Sequence, residues 1–214
     1  MRARDNPFRT ERVLRVRYRL QESTWPELLA RCESLHYRAA LVGPRGSGKT
    51  TLLEDLEPRL RQRGFETRFL RLDQRNPCFA PGFLSELTAG LTARDLLLFD
   101  GAEQLSSPVW HWFKWRTRAA GGLIITTHSA GRFATLVECR TSPSLLSELA
   151  ADLLEVPAET LRERAGILFQ QHGGNLREAL RHWYDLMSQN NDQSRLVWCP
   201  RNSYTFVAPH LGSG

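Results

Sequence analysis

The chain has 214 residues, a formal charge of +6, and 41% hydrophobic and 24% charged residues. That is enough for one core domain with a small appendage, and the composition is that of a globular protein rather than a disordered or fibrous one. No apolar run approaches the ~18 residues of a membrane span, and the N-terminus carries no signal-peptide core. Cys32, Cys78, Cys139 and Cys199 are scattered without a C-x-x-C pair. A disulfide framework or zinc site is therefore not expected, and a reducing cytoplasm is the expected setting.

In chain order, the first feature is an arginine-rich arm. Arg2, Arg4, Arg9, Arg12, Arg15, Arg17 and Arg19 crowd the start, whereas Lys49 and Lys114 are the only lysines in the sequence. Such an arm suits DNA or another acidic partner, although a GC-rich genome gives the same arginine bias. Leu14, Val16, Tyr18 and Leu20 alternate with arginines, a period of two that predicts a half-exposed strand. Thr24-Trp25-Pro26-Glu27 is a capping box that opens a helix running to about Cys32.

Residues 37–42 read as a strand and residues 50–63 as a helix ended by Gly64. Residues 65–72 predict a strand closing on Asp73, and 82–91 a short helix. Asp95–Asp100 is an unbroken apolar run of the kind buried on both faces of a parallel sheet. A helix over 103–119, interrupted near Pro108, precedes buried strands at 122–128 and 134–139. From Pro143 onward only helices are expected, at 144–154, 158–171 and 175–187, followed by a polar tail with a strand candidate at 203–207. The division is an N-terminal segment (1–35), an α/β core (36–142), a helical lid (143–188) and a tail (189–214).

Between the first strand and helix lies Gly43-Pro44-Arg45-Gly46-Ser47-Gly48-Lys49-Thr50, a complete G-x-x-x-x-G-K-[ST] loop. Its glycines let consecutive amides converge on an anion, and the helix start adds its own unpaired amides, including that of Thr51. Lys49 is expected to reach the β- and γ-phosphates of ATP, and the Thr50 hydroxyl to hold Mg²⁺. Asp100, ending a hydrophobic strand, fits the second metal-organising acid. Glu103 is the nearest carboxylate able to orient water. At the end of the 122–128 strand, Thr126, Thr127 and His128 alternate in direction, so one or two of them can face the nucleotide, and Thr127 and His128 are the preferred γ-phosphate sensors. Arg177 would enter the cleft from the lid. Arg132 is either a residue offered to a neighbouring subunit or an ordinary surface arginine.

The segment from Val109 to Trp115 spreads apolar side chains over more than half a helix circumference, leaving His111, Lys114 and Arg118 as a polar face. Core packing, a protein partner and stacking on single-stranded bases are its three candidate uses.

These residues resemble the AAA+ branch of P-loop ATPases, and within it the small proteins of bacterial secretion and transposition around ExeA and TniB. The match rests on Asn6-Pro7-Phe8, the glycine loop, Phe99-Asp100-Gly101-Ala102-Glu103-Gln104-Leu105 and Gly174-Asn175-Leu176-Arg177. It implies a three-layer P-loop NTPase sandwich, with a mostly parallel five-stranded sheet, a small C-terminal helical lid and Arg177 as a sensor arginine. Gly101 stands where that group carries a glutamate, which implies slow hydrolysis or none. The segment 100–127 is short, which argues against a ring-forming unfoldase.

The resulting expectation is an ATP-binding, AAA+-like ATPase used as a switch, with a protein partner, a DNA link and assembly on nucleotide binding. A small-molecule or nucleotide kinase using Asp73 and Arg75 is one alternative. A non-hydrolysing ATP-binding module is the other.

Overall fold

A computed structural model of the chain describes residues 8, 18–20 and 23–189. The first helix, α1 (Trp25–Ser34), begins at the predicted capping box. Thr24 Oγ1 accepts from the Glu27 amide, and the Glu27 carboxylate accepts from the Thr24 amide at 2.7 Å. There follow β1 (Arg38–Val42), the glycine loop, α2 (Lys49–Gln62), β2 (Glu66–Arg71), α3 (Phe83–Ala89) and β3 (Asp95–Asp100).

The helix expected over 103–119 is two pieces, a 3₁₀ turn at Ala102–Gln104 and α4 (Ser107–Arg116). Pro108 sits in the first turn of α4, where a missing amide is harmless, so it opens this helix and does not interrupt it. The core ends with β4 (Gly122–Thr127) and β5 (Thr135–Glu138).

The strands form one sheet in the order β2-β3-β4-β1-β5, and every pairing is parallel. Alternation along the strands sorts their side chains into two cores. Leu96 and Leu98 of β3, Ile124 of β4 and Leu41 of β1 pack with Leu28 of α1 and with Leu52, Leu56 and Leu60 of α2. Leu97, Phe99, Leu123 and Ile125 pack on the opposite face with Leu87 of α3 and with Trp110 and Phe113 of α4. The chain is thus an α/β protein with helices on both faces of an all-parallel sheet. Truncating one of these leucines to alanine costs about 2–5 kcal/mol.

The helical region comprises α5 (Pro143–Leu154), a 3₁₀ turn at Ala158–Leu161, α6 (Arg162–Gln171) and α7 (Leu176–Gln189). It has its own core, centred on Leu146, Leu168, Leu180 and Trp183. Phe8 is buried in that core and stacks on Trp183, with ring centroids 5.5 Å apart. The aromatic residue of the Asn-Pro-Phe sequence therefore belongs to the helical region.

Tyr18, Arg19 and Leu20 are not in a strand, contrary to the alternation in the sequence. Their polar groups are satisfied otherwise: the Tyr18 amide donates to Asp55 Oδ2 at 2.8 Å, and Arg19 bridges Glu148 and Asp152 of α5. Residues 14–17 and the strand candidate at 203–207 lie outside the described residues. Among the described residues, no helix is long and apolar enough to cross a membrane.

Candidate functional site

A cavity of about 310 Å³ opens where the C-terminal ends of the strands meet the helical region. In parallel α/β sheets this edge is where ligands bind. The glycine loop forms its floor. Gly46 has φ +78°, and a Cβ there would lie 1.9 Å from Asn175 Oδ1, so only glycine lets the helical region rest on the loop at this point. That Asn175 oxygen also caps α7 by accepting from the Glu178 amide at 3.2 Å.

α2 begins at Gly48 with no side-chain cap, leaving the amides of its first turn free of side-chain partners. Ser47 Oγ is buried without a hydrogen-bond partner. Lys49 is 7% exposed, and its ammonium donates to the carbonyls of Gly43 and Pro44, both at 2.7 Å. Burial pulls its pKa below the ordinary lysine value with help from Arg177, while Glu103, Cys139 and Asp100 oppose that shift.

Gly43 and Pro44 thus act by holding Lys49, while Arg45, Gly46, Ser47, Gly48, Lys49, Thr50 and Thr51 line the cavity itself. Convergent amides, a buried ammonium and an unpartnered hydroxyl form a donor set suited to phosphate oxygens.

Asp100 sits at the end of β3, separated from the glycine loop by β4, and the two are joined by side chains. Asp100 Oδ2 accepts from the Thr50 hydroxyl at 2.9 Å and lies 3.3 Å from Arg71 Nε; Oδ1 accepts from the Thr126 hydroxyl at 2.7 Å. Thr126 Oγ1 in turn accepts from the Gly101 amide at 2.8 Å. The carboxylate and the Thr50 hydroxyl form the oxygen pair that fits a small divalent cation.

Gly101 explains its own place in the sequence. Its φ is +89°, and a Cβ would lie 2.0 Å from the Leu72 carbonyl oxygen, so a glutamate at this position would require the backbone to move. Glu103 reaches the cavity from the following 3₁₀ turn. Its Oε1 lies 3.3 Å from His128 Nε2, and its Oε2 is buried without a partner.

Arg177 lines the cavity, as does His128. Thr127 does not join them. Strand alternation turns it away, and its hydroxyl donates to the Ser129 carbonyl at 3.2 Å. Thr126 takes the place in the site that the sequence reading gave to Thr127. Arg132 folds back on its own chain, donating to the Leu105 carbonyl at 2.5 Å and lying over the Trp110 ring. Asp73 Oδ1 is engaged by the amides of Arg75 and Asn76 at 2.7 and 2.8 Å. Asp73 lines the cavity and Arg75 does not.

Several participants were not read from the sequence. Tyr18 packs its ring against Gly48 and shares a hydrogen bond with the Cys139 thiol. Burial raises its phenol pKa well above the ordinary value, so it stays neutral. With Leu145, Leu149 and Leu180 it gives the cavity an apolar wall beside its phosphate-like end. The only sequence signal for Tyr18 was its place in an arginine alternation, which pointed to a strand. No protein-family model and no curated protein matches this chain.

Proposed function

We propose that the chain binds ATP with Mg²⁺ in this cavity and uses it as an AAA+-like ATPase switch built on a P-loop NTPase sandwich. The observation that carries the reading is the meeting of two parts of the chain at one place. Lys49, Thr50 and Asp100 from the sheet edge and Asn175 and Arg177 from the helical region line or close the same cavity. Lys49 and the loop amides would hold the phosphates; Thr50 and Asp100 would hold the cation, which supplies charge neutralisation. The apolar wall around Tyr18 suits a base and ribose.

Glu103 would orient the attacking water in the conversion of ATP and water to ADP and phosphate, with His128 holding the carboxylate. Arg177 would meet the charge at the γ-phosphate, so that ATP and ADP favour different positions of the helical region. A few kcal/mol of differential binding is enough to run such a switch. The free cysteines among the described residues suit a reducing, cytoplasmic setting.

A second reading, binding without turnover, is favoured by the Gly101 backbone, which leaves no room for the usual glutamate. Phosphate release from ATP with Mg²⁺, with and without DNA, separates the two when Lys49→Ala and Glu103→Gln are run beside the native chain. The ATPase reading expects release by the native chain, no binding by Lys49→Ala, and binding without release by Glu103→Gln. A native chain that binds ATP but never releases phosphate supports the binding module. One that binds no nucleotide by calorimetry ends both readings.

A further inference from the structure

The face of α4 turned away from the sheet has a composition that neither the core nor the cavity uses. Trp110 and Phe113 are buried against the sheet, whereas Val109, Trp112 and Trp115 are 42%, 48% and 54% exposed. Three large apolar side chains on one helix face are more than scattered surface exposure. Cations accompany them. The Arg116 guanidinium, which also donates to the Thr88 hydroxyl of α3, lies 5.9 Å from the Trp112 ring centroid, and that of Arg118 lies 5.2 Å from Trp115. Arg38 adds a further cation at the C-terminal end, donating to the carbonyls of Arg118 and Ala120. From Gln104 to Val137 the sequence holds no aspartate or glutamate, while Lys114, Arg116, Arg118 and Arg132 fall within it.

We infer that this face of α4 is a docking surface for single-stranded nucleic acid. The α4 segment itself offers charges of one sign, which suits an anionic partner. The partner must also offer flat faces, because the exposed indoles with flanking guanidinium groups form a stacking platform between cations. A single strand supplies both in alternation, base and phosphate, whereas a duplex keeps its base faces stacked on one another. An acidic peptide supplies the charge without the faces. A groove of about 250 Å³ beside Trp112, lined by Phe79, Leu84, Leu105 and Val109, gives a base an apolar edge to rest against. None of these residues lines the Lys49 cavity, so this surface does not depend on the nucleotide reading.

The test is binding of a labelled oligothymidylate to the full chain with no ATP present, so that failure of the nucleotide reading leaves it unaffected. Trp112→Ala and Trp115→Ala should each weaken binding about tenfold, and Trp112→Phe, which keeps a stacking face, should retain most of it. Arg116→Gln and Arg118→Gln should flatten the salt dependence by about 0.7 in logarithmic slope for each phosphate no longer neutralised. An abasic chain of equal length should bind more weakly and be indifferent to the tryptophan substitutions.

The inference is overturned if a Trp112→Ala/Trp115→Ala protein with native melting temperature binds as tightly as the parent, or if the abasic chain does. Binding of polyglutamate but not of the oligonucleotide overturns it in favour of an acidic protein partner. Loss of binding only on replacing Arg9, Arg12 and Arg15 transfers the role to the N-terminal arm.

Discussion

Strand β3 carries an aspartate at each end, and the two have similar company. Asp95 accepts from the Thr92 amide and hydroxyl and is gripped by Arg68 of β2. Asp100 accepts from Thr50 and Thr126 and lies beside Arg71 of the same neighbouring strand. What separates them is where the strand end leads. Asp95 is 1% exposed at the N-terminal edge of the sheet, and its hydrogen bonds close a turn. Asp100 faces a cavity shared with Lys49 and Arg177. The same residue type with the same kinds of partner is a structural clasp at one edge and a candidate cation ligand at the other.

Substitutions should pull the two roles apart. On the ATPase reading, Asp100→Asn should lower turnover by about 10²–10³-fold, the scale of losing one group aligned with transition-state charge, while shifting unfolding by only about 1 kcal/mol. Steady-state phosphate release and urea melts on one preparation measure both; a variant that unfolds easily yet turns over normally would make Asp100 a second clasp.

Gly101→Ala should cost about 3 kcal/mol of stability, since it combines a left-handed backbone with a Cβ against the Leu72 carbonyl. Denaturant midpoints read this directly, and an unchanged midpoint would mean that the turn after β3 adapts freely.

Asp95→Asn should have the reverse profile of Asp100→Asn: about 2 kcal/mol of stability lost, with turnover retained. Burial alone would raise the Asp95 pKa, but the bonds from Thr92 and the Arg68 guanidinium outweigh it and hold the carboxyl below its ordinary value. A folded-state pKa below the unfolded one adds stability above about pH 4, and that contribution is lost as pH falls through the folded value. Melts between neutral and acid pH should show this decline in the native chain and a shallower one in Asp95→Asn.

The smallest effect is expected at His128→Ala, about fivefold in turnover with stability within about 0.5 kcal/mol, because its contact with Glu103 is half exposed. A larger loss of stability would assign the pair to the fold.

The sheet was legible because Asp95–Asp100 and the strand ending at Thr127 are apolar runs too short for helices and bounded by turn residues. The glycine loop was legible because its spacing has one geometric meaning. The choice between Thr126 and Thr127 was not legible: adjacent threonines differ only in which side of the sheet they face, and that depends on register with β1 and β3. The role of Tyr18 was hidden for a related reason. Its alternation with arginines has the period of a strand, but the Tyr18 amide bonds a side chain of α2 and Arg19 reaches α5, contacts that exist only after folding. Pro108 marked a boundary that local propensity placed in mid-helix.

The stacking of Phe8 on Trp183 has a consequence for how the chain is made. Nearly the whole described chain lies between those two rings, so the core of the helical region stays incomplete until α7 has left the ribosome. The sheet, by contrast, has all of its described strands by Glu138. Contacts of such long sequence separation form late, after a large loss of chain entropy. The α/β half should therefore be assembled first on the nascent chain, holding an open cavity whose cover arrives with the last helix.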